Sequence, residues 1–133
     1  MPMHMPRIAL LFASLHILLM LVLAMRVVGH RRAEKIGIGD GGDKRLARKV
    51  RAHANFIEYV PVALLTLALL ELGGLGAMWL WALGGTLLLA RVLHAAGLSR
   101  HAGYSLGRFW GTVLTWGVLV AMAVAGLWLA LLS

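Results

Sequence analysis

Sorted into apolar and polar positions, the chain alternates four long apolar blocks with polar connections of unequal character. The blocks cover residues 8–28, 46–72, 75–96 and 108–132. Each is long enough for the hydrocarbon core of a bilayer, which takes about 20 helical residues. The first is interrupted only by Ser14, His16 and, near its end, Arg26, and the second emerges from a polar stretch that precedes Phe56. The pattern predicts an all-α fold: an integral membrane four-helix bundle, one domain over residues 1–133, with no repeat and no low-complexity tail. The first block exceeds the roughly 7 to 15 apolar residues of a secretory signal, and its basic residues follow rather than precede it. It therefore reads as a retained span.

Composition agrees with this reading. The chain has 133 residues, of which 61% are hydrophobic and 14% charged, whereas soluble domains sit near roughly 45 to 50% apolar and about 25% charged. Mean hydropathy is +0.85. There is no cysteine, so disulfides, thiolate nucleophiles and Cys-ligated zinc are excluded, and any sulfur chemistry must arrive with a ligand.

Charge adds an orientation. Only Arg7 precedes the first block, while Arg26, Arg31, Arg32, Lys35, Lys44, Arg45, Arg48, Lys49 and Arg51 crowd its connection to the second. Arg91, Arg100 and Arg108 fall at the end of the third block and its link to the fourth. The positive-inside rule then puts both termini on the non-cytoplasmic side. The net charge of +8 is largely this topology signal. Such a surface suits anionic membrane lipids, and with no aromatic-interleaved basic module, nucleic acid is not an expected partner.

The connection GHRRAEKIGIGDGGDKR lacks both the Gly-Lys-Ser/Thr ending of a phosphate loop and the ligand spacing of a calcium loop. It reads as a solvated turn, with Asp43 as N-cap of the second helix. No His and carboxylate cluster has metal spacing, so no metal is expected.

The segment RAHANFIEYVP is the chemically unusual one. Arg48, Arg51, Asn55 and Glu58 are separated by three, four and three residues and so share one helix face. Arg51 and Glu58 stand two turns apart, about 10 Å along the axis, a separation from which direct neutralisation is not expected. A polar stripe entering a span should face other helices or a wet cleft, because lipid-facing charge costs a few kcal/mol. Pro61 removes one helical hydrogen bond and crowds the Ile57 carbonyl, which predicts a bend below Glu58. The bland alternative is a tolerated kink, with Glu58 paired for assembly alone. On the third helix Arg91 and His94 share a face at the same end, followed by a polar stretch with Tyr104, Ser105 and Arg108. Cationic donors, an amide and a carboxylate at one depth suit a small ligand that carries carboxylates and an amine. Activating a thiol there requires a positive charge or hydroxyl beside the sulfur. Arg108 is the first candidate, with Ser105 and Tyr104 behind it.

GDGGDKRLARKVRAHANFIEYVPVALLTLALLE, ARVLHAAGLS and GRFWGTVLTW resemble the MAPEG family, the membrane-associated proteins in eicosanoid and glutathione metabolism, and within it the small bacterial branch. The resemblance runs from about Gly39 to Trp116 and implies four-helix proteins of the bacterial inner membrane that assemble as homotrimers with glutathione between subunits. It implies that Arg51, Asn55, Glu58, Arg91 and His94 bind glutathione as cosubstrate, with Arg108 as catalytic residue toward a lipophilic small molecule, in a transferase or peroxidase. Two positions depart from the eicosanoid enzymes of the family: Ala54 where a basic residue is frequent, and Leu98 where a tyrosine is common. Binding is thus better founded than thiol activation, and eicosanoid substrates gain no support. Two other readings stay open: a binding or scaffold protein of the same fold, and a small exporter whose Glu58 exchanges protons.

Of the remaining features, Gly103, Gly107 and Gly111 form a small-residue stripe suited to close helix approach. Trp79, Trp81, Trp110 and Trp128 read as interfacial anchors, with Trp116 deeper and packed. His16 reads as a buried, hydrogen-bonded histidine, and Glu71 as exposed to head groups.

Overall fold

The computed structural model describes residues 4–100 and 105–133. The described residues form four helices and no strand: α1 (Arg7–Glu34), α2 (Lys44–Leu72), α3 (Ala77–Arg100) and α4 (Leu106–Leu132). All four are long and apolar enough to cross a membrane. α1 runs six residues beyond the expected end of its span, through the basic HRRAE segment, because helix continues into the connection after the apolar pattern has stopped. It closes on Lys35 in the left-handed region, whose N–H returns to the Arg31 carbonyl. α2 is unbroken at Pro61.

Two helix starts show how local sequence sets their position. Asp43 accepts from the backbone N–H groups of Arg45 and Leu46, capping α2 as expected. Ser105 caps α4, accepting from Arg108 N at 3.2 Å. α1 has no side-chain cap of its own. Its first amides are instead satisfied from the far end of α2: Glu71 accepts from Ile8 N at 3.0 Å and Ala9 N at 2.7 Å. Free N–H groups at a helix start carry partial positive charge, so a carboxylate arriving from a neighbouring helix fills the missing cap. This corrects the reading of Glu71 as a head-group contact.

Among the described residues, every pair of helices is in contact except α1 and α4. The core falls into two apolar clusters. One, around Phe12, Leu67, Leu80, Leu87 and Met122, fills the end that holds both termini. The other, around Leu23, Phe56, Val60 and Leu98, fills the end that holds the basic connections. Two glycines fix how closely the helices approach. A Cβ on Gly84 would lie 2.3 Å from the Phe12 ring, and one on Gly111 would lie 2.6 Å from the His94 backbone nitrogen. Close helix approach at Gly107 and Gly111 is therefore present, and it is between α3 and α4; Gly103 lies outside the described residues.

Large apolar side chains such as Leu18, Leu65 and Val120 point outward, the arrangement expected of a chain solvated by lipid or by other chains rather than by water. His16 is buried, with Nδ1 against the Phe12 carbonyl oxygen at 2.6 Å. Trp79, Trp81, Trp110 and Trp128 are exposed, and so is Trp116. The expectation that Trp116 is packed inside the chain is corrected: its ring faces outward, held by a hydrogen bond at its edge.

Candidate functional site

Among the apolar clusters lies a polar knot tied from three helices. Arg91 on α3 is only 1% exposed. Its Nη1 donates to Thr115 Oγ1 of α4 at 3.3 Å, and its Nη2 donates to Asn55 Oδ1 of α2. The guanidinium stands over the Tyr59 ring, 5.8 Å from its centroid. Tyr59 Oη in turn accepts from Trp116 Nε1 at 3.2 Å, and Thr115 donates to the Gly111 carbonyl at 2.7 Å. The spacing of four between Asn55 and Tyr59 lets both meet one guanidinium, as helix geometry requires.

Beside the knot lies a second, exposed arrangement. Arg51 Nη1 and Nη2 donate to Glu58 Oε1 and Oε2 at 3.0 and 2.9 Å, a two-bonded fork between side chains that are about half exposed (51% and 48%). The expectation that the two lie too far apart to neutralise each other is corrected. Their backbones are two turns apart, but a long arginine extended along the helix and a glutamate reaching back cover the gap. Arg51 also lines a cavity of about 240 Å³ together with Lys44, Ala47, Arg48, Leu98 and Arg108. Four of those six side chains are cationic and none is acidic. Arg48 turns its Nε inward, buried and without a partner. Ser105, Arg108, Phe109 and Thr112 line an adjoining hollow.

Of the six residues singled out in the sequence, the structure therefore makes two groups. Arg51, Glu58 and Arg108 are accessible around the cationic cavity. Arg91 and His94 are sealed in the bundle, at 1% and 3% exposure, rather than standing as donors on a cleft wall. Asn55 sits between the groups with its carbonyl oxygen committed to Arg91. His94 packs its backbone against Gly111, and its Nδ1 is buried without a partner. Tyr104 lies outside the described residues. Sequence reasoning placed Arg48 on the polar face without assigning it to the site, and it missed Tyr59, Thr115 and Lys44. Tyr59 was legible, four residues beyond Asn55; Thr115 was not, a lone hydroxyl in an apolar span.

The basic connection is tied down separately. His30 Nε2 lies 2.7 Å from Asp43 Oδ2, and Lys49 Nζ lies 3.0 Å from His30 Nδ1. The bond from His30, with help from the Leu46 amide, lowers the Asp43 carboxyl from its ordinary value to about 2. At the opposite end an apolar groove of about 530 Å³ opens between Trp79 and Trp128. Its lining carries no charged side chain and no hydroxyl.

The sequence from residue 9 to 128 matches the model of the MAPEG family. The chain belongs to the MAPEG family. A relative named inner membrane protein YecN, from Escherichia coli strain K12, is 31% identical over 121 residues, covering 91% of each chain, and YecN of E. coli O6:H1 matches to the same extent. With four helices able to cross a bilayer, this MAPEG protein is a multi-pass integral membrane protein. The knot, the Arg51–Glu58 fork and the cationic cavity all lie inside the MAPEG match.

Proposed function

We propose that this MAPEG protein binds glutathione at the end of the bundle that carries the basic connections, and uses it as cosubstrate of a transferase or peroxidase acting on lipophilic electrophiles. The observation that carries the reading is the Arg51–Glu58 fork at the rim of a cavity lined by three further cations. An exposed pair of this kind contributes only about 0 to 1 kcal/mol, so a ligand that offers both charges can replace it. The γ-glutamyl head of glutathione is such a ligand: its carboxylate takes the place of Glu58 on Arg51, and its ammonium takes the place of Arg51 on Glu58. The glycyl carboxylate then meets the cations of the cavity.

Arg108 lines the same cavity and is the group in position to hold the thiol as thiolate. A neighbouring guanidinium lowers the cost of the negative charge on sulfur. The thiolate attacks an electrophile that enters laterally from lipid, and the new carbon–sulfur bond expels the leaving group; with a hydroperoxide, sulfur takes the terminal oxygen as the O–O bond breaks and the alcohol leaves, and a second glutathione thiol then displaces water from the sulfenic acid to give the disulfide. A half-exposed ion pair on a membrane helix calls for a polar cover, which a neighbouring copy would supply in the homotrimer that the MAPEG resemblance implies. The basic connections support an orientation with both termini outside the cytoplasm, and the name of the E. coli relative supports the inner membrane of a bacterium.

A second reading, a binding or scaffold protein, is favoured by one feature: Leu98 gives the cavity a buried apolar wall, where a hydroxyl would help to hold a thiolate. The exporter reading is disfavoured because the cavity beside Glu58 is lined by four cations and no acid, which repel a cationic substrate. Purified protein in detergent, assayed for conjugation and hydroperoxide reduction across a lipophilic panel, separates these readings. Turnover abolished by Arg108→Ala supports the enzyme, and binding without turnover supports the scaffold.

A further inference from the structure

Arg91 poses a charge problem that its hydrogen bonds do not solve. Among the described residues, a guanidinium buried to 1% exposure contacts only a neutral amide, a neutral hydroxyl and the face of a tyrosine ring. Its Nε is buried with no partner. No carboxylate lies within 4.0 Å of it among the described residues. A buried cation without a counter-ion costs several kcal/mol, and hydrocarbon around the bundle makes matters worse. The other acids of the spans are engaged elsewhere: Glu71 on the start of α1 and Glu58 on Arg51.

Glu58 is nevertheless the acid best placed to serve Arg91. It lies three residues after Asn55 and one before Tyr59, the two α2 residues that contact the guanidinium. We infer that Glu58 is a partner-exchanging carboxylate, resting on Arg51 in the free protein and turning onto Arg91 when an α-amino-acid head group occupies Arg51. Resting on the glutathione reading, this makes the resting fork a latch that only a zwitterion opens efficiently. The ligand carboxylate takes Arg51, and the freed Glu58 accepts from the ligand ammonium with one oxygen and from Arg91 with the other. Every charge then has a partner, including the one that lacked it. A ligand with a carboxylate but an acylated amine leaves Glu58 with one donor fewer and binds less tightly.

The exchange has a test that needs no ligand. Full-length protein in liposomes, labelled with glutamate 13Cδ and arginine 15Nη, reports Glu58 proximity to a guanidinium by dipolar dephasing, with the resonance assigned by Glu58→Gln. In Arg51→Gln the Glu58 signal remains dephased, because Arg91 has taken the carboxylate, and it remains so when Arg48→Gln or Arg108→Gln is added. Loss of dephasing in Arg51→Gln, or its transfer to Arg48 or Arg108, overturns the exchange. Glutathione labelled at the γ-glutamyl carboxylate supplies the other arm. Dephasing of that carbon by arginine in wild type, lost in Arg51→Gln, is expected. Its absence in wild type defeats the glutathione reading while the ligand-free arm still decides the exchange.

Discussion

The guanidinium of Arg51 grips the carboxylate of Glu58 through two parallel hydrogen bonds, although seven residues separate them on α2. The fork leaves Asn55, midway between the two, turned to the buried Arg91 instead. One helix face thus serves both an exposed pair and a sealed knot, and mutations on the two should behave differently.

Thr115→Val removes an acceptor of Arg91 and leaves a buried guanidinium N–H unmet. An orphaned buried donor costs about 1–3 kcal/mol, so the variant should unfold at lower denaturant, while Thr115→Ser retains most of the stability. Equal stability of the valine and wild-type proteins in detergent would show that Thr115 contributes nothing to holding Arg91.

Glu71→Ala strips the start of α1 of its acceptor. Losing a cap costs about 1 kcal/mol, and the charge at a helix N-terminus adds up to about another. The expected result is a lower thermal midpoint with faster amide exchange at Ile8 and Ala9. Glu71→Gln, which keeps one acceptor oxygen, should fall between the two.

Gly111→Ala and Gly117→Ala differ by six residues on one helix and should have opposite outcomes. A Cβ at 111 meets the His94 backbone at 2.6 Å, and one at 117 meets nothing within 4 Å. Overpacking against backbone costs about 1–3 kcal/mol or more, so Gly111→Ala should lose thermal stability and α3–α4 contact. Gly117→Ala should match wild type to within about 1 kcal/mol. Circular dichroism melts in one detergent compare them directly.

The cap at Asp43 gives a pH dependence with a definite sign. A carboxyl lowered in the folded protein from an ordinary 3.8 to about 2 favours folding fully above its unfolded value. That contribution fades as pH falls through about 2. Protection of the Arg45 and Leu46 amides should therefore hold at neutral pH and drop only in strong acid. In Asp43→Ala those amides should exchange quickly at every pH, without the acid step.

Much of this was legible in the chain. Four apolar blocks gave four helices, Asp43 announced its own cap, and the three-and-four spacing gathered Arg51, Asn55 and Glu58 on one face. What was not legible depended on side-chain reach and on contacts between helices. Axial rise alone separated Arg51 from Glu58, yet long side chains close that distance. Glu71 looked interfacial because nothing in its own helix needs it; the need lies at Ile8 and Ala9, sixty-odd residues away. Arg91 and His94 share a face, as periodicity requires, but periodicity cannot say whether a face meets a cleft or is closed by Asn55, Thr115 and Gly111. Trp116 in an apolar span predicts burial only where the neighbour is protein, and in a membrane the outward face is equally apolar.

The central claim is that the Arg51–Glu58 fork is where glutathione binds, and calorimetric titration of the detergent-purified protein tests it most directly. The account predicts saturable binding within millimolar glutathione, weakened about tenfold or more by Arg51→Ala and by Glu58→Gln, since each loses a charge-assisted contact of about 1.5–3 kcal/mol. No heat at millimolar glutathione, or an affinity that both substitutions leave unchanged, would contradict it.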